Sequence, residues 1–234
     1  MKKIFYILLI IQTAFFTSGC KKNLESEGVS KLSVKITLNG NTLMAIPQGS
    51  TFVDPGYTAI DGNTKADVTS KVKVDGTVDD QTIGYYEIIY SAVNSDGISI
   101  STLRQVIVYD PNAPKVDISG AYSSKVKRIS PSRSFVNLSV NITKLAPGFF
   151  SVTDFLGGFY DQGSNYLYGP AFGFSGYMQL NSDNTITLIS NYSPGWGGSL
   201  DDFANGVYYP ATQKVSWDAF VFGYHYVVTL SLVE

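Results

Sequence analysis

The residues of this chain best equipped to meet another molecule are rings and carboxylates in its C-terminal half. Residues 157–177 read GGFYDQGSNYLYGPAFGFSGY, in which Phe159, Tyr160, Tyr166, Tyr168, Phe172, Phe174 and Tyr177 are set among six glycines. Trp196 follows inside SPGWGG (193–198), and Asp201-Asp202 lie just beyond it. A tryptophan on a glycine-rich loop is either a plug folded back onto the core or an exposed stacking surface. Sugars offer apolar C–H faces to such rings, while neighbouring carboxylates and amides accept hydrogen bonds from their hydroxyls. The candidate ligand-binding set is therefore Trp196, Tyr160, Tyr166, Tyr168, Asp201 and Asp202.

A core role competes for the same rings. From 166 to 174 the bulky residues Tyr166, Tyr168, Phe172 and Phe174 share the even positions, and Leu167, Gly169, Ala171 and Gly173 the odd ones. That spacing predicts a strand with one ring-bearing face. It places Phe172 and Phe174 in the core and leaves the tyrosines, whose hydroxyls need a partner, as candidates for a rim. Trp217 alternates with Val215, Ala219 and Val221, as a core residue does.

Other chemistries find less support. His225 is the sole histidine and Cys20 the sole cysteine, so no His- or Cys-rich zinc site is indicated. GFSG (173–176) falls short of a nucleophile elbow, and neither a phosphate-binding nor a dinucleotide-binding glycine motif is present. Asp154 and Asp161 flank the aromatic segment, yet nothing in the sequence marks a catalytic carboxylate pair. The expectation is a non-enzyme with no catalytic residues, no metal and no cofactor.

The elements that must position these residues begin with an address. Met1-Lys2-Lys3 precedes an apolar run from Ile4 to Phe16, too short to cross a bilayer as a helix and typical of a signal peptide. It ends in Thr17-Ser18-Gly19-Cys20, and TSGC resembles the lipobox of bacterial lipoproteins, which implies that Cys20 is lipidated. Each buried acyl CH₂ adds about 0.8 kcal/mol, so two or three chains would anchor the protein essentially permanently. The net charge of −2 and the absence of a basic run argue against a nucleic-acid partner. The polar stretch 20–31 reads as a tether, and Glu25 and Glu27 within it lean toward display at the outer-membrane surface.

From Leu32 onward the hydrophobic period is two. Val34, Ile36 and Leu38 alternate with polar residues, as do Tyr86, Ile88, Tyr90 and Ala92, and Asn-Gly and Asp-Gly turns separate the runs. GSTFVDPGYTAIDG, ADVTSKVKVDGTVD, GYYEIIYSAVNSDG and RQVIVYD follow in order. Together they resemble the bacterial immunoglobulin-like module of cell-surface proteins, although Asn94 departs from the family turn and speaks against a calcium site there. DPNAPK (110–115) is a proline-bearing linker. Beyond it Val136, Leu138, Val140 and Ile142 alternate cleanly, and further strands are expected at 149–154, 166–174, 185–191, 214–221 and 224–233. ITKLAPGFFSVTDFLGGFY, DNTITLIS and SPGWGG resemble the C-terminal domain of Bacteroides-type two-domain surface lipoproteins.

The sequence thus predicts an all-β chain: signal peptide 1–19, tether 20–31, immunoglobulin-like β-sandwich 32–110, linker 111–117, and an antiparallel β-meander 118–234 forming a sandwich or partly closed barrel. Its expected role is to bind or present a glycan as an accessory of polysaccharide uptake, a role implied by analogy with glycan-uptake lipoproteins. The alternatives are a structural or protein-binding component of an outer-membrane complex, or a small-molecule binder.

Overall fold

The computed structural model describes residues 33–233, all β apart from short turns. The signal peptide, the tether and Cys20 lie outside the described residues.

The N-terminal part holds six strands: β1 (Lys35–Leu38), β2 (Leu43–Pro47), β3 (Tyr57–Ile60), β4 (Lys73–Asp75), β5 (Gly84–Val93) and β6 (Ser99–Tyr109). β1 pairs with β3, and β2, β6, β5 and β4 form a second sheet in that order, β2 running parallel to β6. The alternation along β5 turns Ile88, Tyr90 and Ala92 inward. Ile36 of the small sheet packs against both apolar clusters beneath the larger one, which makes the two sheets one immunoglobulin-like sandwich.

One buried charge fixes its corner. The Arg104 guanidinium is fully buried, 3.2 Å from the Asp54 carboxylate of the DPG turn. It also donates to the carbonyls of Asn39 (2.9 Å), Asn41 (2.5 Å) and Gly56 (3.1 Å). Tyr90 Oη donates to the other Asp54 oxygen at 2.6 Å. A buried cation is tolerable only when so completely partnered. The Asp-Pro-Gly and the Arg that carry the family resemblance are thus one internal clamp.

The C-terminal part is a single antiparallel sheet of eight strands: β7 (Gly120–Arg128), β8 (Arg133–Ala146), β9 (Phe149–Val152), β10 (Ser175–Leu180), β11 (Ile186–Tyr192), β12 (Asp202–Tyr209), β13 (Lys214–Val221) and β14 (Tyr224–Leu232). The order is β11-β10-β9-β8-β7-β14-β13-β12. Its two edges meet through the Thr185–Val207 bridge and a bond from the Tyr208 N–H to the Asn184 carbonyl at 2.9 Å. The sheet is therefore a nearly closed barrel.

Two expectations fail here, each for a local reason. The predicted strand at 166–174 is a loop with a 3₁₀ turn at Pro170–Phe172, because Leu167 (φ 51°) and Gly169 (φ 85°) leave the extended region and proline has no N–H for a ladder. β10 begins only at Ser175. In β8 the clean alternation breaks at Asn137 (φ 58°), where the pairing with β7 shifts register. Phe135 consequently packs against the core, while Val136 stands outside at 55 % exposure.

The two parts touch. Ile107 is buried with Ala146 and Phe149, and the Tyr85 and Tyr177 rings stack at 4.3 Å and 19° across the boundary.

Candidate functional site

The opening aromatic stretch fills the barrel rather than forming its wall. Trp217 reaches in from β13 and donates its indole N–H to the Phe155 carbonyl at 2.7 Å. Asp154, nearly fully buried, accepts N–H bonds from Leu156 (2.8 Å), Gly158 (2.8 Å) and Phe174 (2.9 Å). One carboxylate thereby ties the start of the 153–174 connection to its end. Burial pushes its pKa up to about 6, against the three N–H donors that hold it down. Gly157 must be glycine: its φ is 63°, and a Cβ there would lie 2.5 Å from Ser124 Oγ.

After this reversal Phe159 and Tyr160 enter the core, and the Tyr160 and Tyr226 hydroxyls share a hydrogen bond of 2.8 Å. Tyr160 was expected at a rim. Burial with its hydroxyl satisfied makes it the floor beneath the surface rings, unable to take a ligand on its face. Tyr166 is half-buried and packs edge-on to Tyr160 and to Phe135. Tyr168 emerges from the core, its ring parallel to that of Tyr160.

Trp196 completes the group. The SPGWGG loop closes on itself through the Ser193–Gly198 bridge and is laid onto the 3₁₀ turn, the Gly195 N–H donating to the Ala171 carbonyl at 2.7 Å. A Cβ on Gly195 would come within 2.7 Å of the Phe172 ring, so glycine permits the close approach. The indole lies 5.3 Å from Tyr160, 6.0 Å from Tyr168, 5.1 Å from Phe172 and 5.0 Å from Phe222, centroid to centroid. It remains 38 % exposed, neither plugged nor free-standing.

Phe222 went unremarked in the sequence. It occupies the first position of the two-residue turn between β13 and β14 with φ 55°, and Gly223 the second with φ 72°. Both central residues at positive φ is the I′ arrangement that favours Asn-Gly, and a phenylalanine there is strained. VFGY between two alternating strands was the available signal. Leu167 likewise combines positive φ with high exposure. Tyr168, Trp196 and Phe222 form one exposed aromatic patch at this end of the barrel, with Leu167 next to Tyr168 in the chain.

The remaining candidates go elsewhere. Asp201 and Asp202 enter β12 and line a separate depression with Thr187, Leu188 and Asn205, so the expected carboxylates are not gathered with the indole. His225 stacks on Phe220 at 4.5 Å and lies 3.5 Å from Asp218. Among the described residues no group of three or more His, Cys, Asp or Glu is placed to hold a metal.

These features define a class: a bacterial surface protein with an immunoglobulin-like module followed by a β-barrel domain. A family model described as the Ig-like domain of bacterial surface proteins matches residues 36–108, and one describing a family's C-terminal domain matches 111–232. The lipoprotein BT2262 from Bacteroides thetaiotaomicron is 35 % identical over 85 % of this chain and 99 % of that one, with a TM-score of 0.47. The chain belongs to the family of that lipoprotein. Two structures of ZmpB from Clostridium perfringens are much fainter matches. One contains CBM51-2 in complex with GlcNAc together with INT domains, at 17 % identity, 51 % of this chain, 31 % of that one and a TM-score of 0.28. The other contains the M60 catalytic domain with CBM51-1 and CBM51-2, at 18 %, 51 %, 15 % and 0.30. A likeness that faint has no bearing on what this chain binds. No curated protein matches the sequence.

Proposed function

We propose that this surface lipoprotein is a non-catalytic binding protein, held on the outer membrane by lipid on Cys20 and acting as an accessory of polysaccharide uptake. The tether and the linker divide it at 20–31 and 111–117 into anchor, stalk and binding domain, and the aromatic end patch is the face that meets a glycan. The observation behind this reading is backbone strain in the service of exposure. Leu167 and Phe222 hold left-handed backbone at φ 51° and 55° while standing 67 % and 48 % exposed, Phe222 against Trp196 and Leu167 next to Tyr168 in the chain. Bulky residues in that region cost on the order of 1 kcal/mol each, and such strain clusters at functional sites. A sugar ring would stack on Trp196 or Tyr168.

A second reading, a protein-binding component of a surface complex, draws on the same patch. Leu167 and Phe222 carry no side-chain hydrogen-bonding group, and the rings tilt by 63° to 66° against the indole rather than forming a flat platform. Glycan-array binding by the lipid-free protein, wild type against Trp196→Ala, tests the first reading. Loss of binding with the indole supports it; no glycan bound by wild type removes it. Crosslinking in the native envelope through a photoreactive residue at 167 tests the second, which expects a defined protein adduct.

A further inference from the structure

The end patch offers stacking faces but few hydrogen-bonding groups, and a saccharide uses both. Hydrogen-bonding groups are concentrated instead in an open cleft of about 870 Å³ where the immunoglobulin-like sheet meets the barrel wall. β5 supplies Tyr85 and Glu87 from one side; β9, β10 and β11 supply the other. The stacked Tyr85–Tyr177 pair belongs to its lining. The Tyr85 hydroxyl is fixed between two partners, donating to Glu87 Oε1 at 2.8 Å and accepting from Gln105 Nε2 at 2.6 Å. The floor is bare backbone at Gly176, where a Cβ would lie 2.0 Å from the Ser190 carbonyl of the neighbouring strand, so only glycine fits.

Around that floor stand the hydroxyls of Ser151, Ser175 and Ser190, none of which is occupied by a protein hydrogen bond in the described structure. Asn191 pairs with Gly176 on the opposite, core-facing side of β11 and spends its carboxamide oxygen on the Leu200 N–H at 2.8 Å, so it offers the cleft only backbone. Tyr192 stands at the same cleft with its ring 52 % exposed. Free hydroxyls, one carboxylate and an accessible ring make up the set that recognises a polyol ring by hydrogen bonding and C–H stacking. The sole charged side chain in the lining is Glu87, so an anionic ligand would meet repulsion with no cation to offset it.

We infer that this cleft between the two sheets is a binding site for a neutral oligosaccharide, with Tyr192 as the stacking ring and Glu87, Ser175 and Ser190 as its hydrogen-bonding partners. The inference rests on a glycan as the ligand class, but it places polar recognition away from the Trp196 patch.

Affinity electrophoresis of the full chain in gels containing starch, xylan, galactomannan or dextran, with polygalacturonate as the acidic comparison, tests it. Wild type should be retarded by at least one neutral polysaccharide. Tyr192→Ala should weaken that retardation at least tenfold and Glu87→Gln several-fold, while Ser190→Trp, which occludes the groove without removing Tyr192, should abolish it. Retardation lost in Trp196→Ala but intact in Tyr192→Ala and Ser190→Trp overturns the cleft and leaves the end patch as the glycan face. Loss in the cleft variants alone upholds the cleft against the patch. Retardation by polygalacturonate only, or by no polysaccharide, overturns the inference.

Discussion

In each half of this molecule a buried charge holds a loop, and Arg104 and Asp154 do it in opposite ways. In the immunoglobulin-like part Arg104 is surrounded by Asp54, Tyr90 and three carbonyls, so cation and anion cancel inside a closed corner. In the barrel Asp154 has no cation; three backbone N–H groups hold it, and the nearby Asp161 carboxylate adds to the rise of its pKa. The immunoglobulin-like part is built from a motif whose members neutralise one another. The barrel holds its ring-bearing segment with a carboxylate that pH can reach.

That contrast is open to attack, most forcefully at Arg104. Arg104→Met should cost about 3–5 kcal/mol in chemical denaturation, because Asp54 and three carbonyls lose their partner in a dry site. A cost below about 1 kcal/mol would mean that the corner holds itself without the clamp. Phe135→Ala, removing a ring packed on Phe159 and Tyr166, should cost about 3 kcal/mol, whereas Val136→Ser next to it should stay within about 0.5 kcal/mol.

Asp154 gives the pH arm. Its folded pKa of about 6 lies above its unfolded value near 3.8, so the native state binds the extra proton between those limits. Its contribution to stability is therefore greatest below about pH 4 and falls as pH rises toward 6, by up to about 3 kcal/mol. Asp117 and Asp183, whose carboxyls are held below the usual range by hydrogen bonds, work in the opposite sense and lose stabilisation as pH falls. The comparison of thermal midpoints between wild type and Asp154→Asn from pH 4 to 7 isolates the barrel carboxylate. Asp154→Asn should be less stable at pH 7, since its amide would face the Gly158 N–H, and the gap between the two proteins should change across that window. A constant gap would show that Asp154 does not titrate there. A small gain rather than a loss is expected at Phe222: Phe222→Asn should relieve the turn and raise stability by about 0.5–1 kcal/mol while weakening any ligand of the end patch.

How much of this was legible in the sequence follows the same divide. The stalk could be read because its motif residues sit at fixed places in alternating strands and bond to one another. The barrel was read as β, but residues 166–174 imitate a strand by alternating large and small residues, and only the positive φ values at Leu167 and Gly169 reveal the loop. Four of the six candidate ligand-binding residues, Trp196, Tyr160, Tyr166 and Tyr168, come together in one ring cluster, because the glycines around them allow close packing. Proximity in sequence misled for Asp201 and Asp202, since strand β12 carries them along a different edge. The cleft left no trace in the one-dimensional pattern, for Tyr85 and Glu87 of β5 meet the β9–β11 wall only when the two sheets dock.

The barrel seam carries its own consequence. Among the described residues β11 and β12 are stitched by one bridge and the adjacent Asn184–Tyr208 bond, whereas β7 and β14 are laced along seven residue pairs. Deuterium should accordingly enter at Val207 and Tyr208 long before it enters at Val126 or Val228, marking the line along which the cylinder breathes.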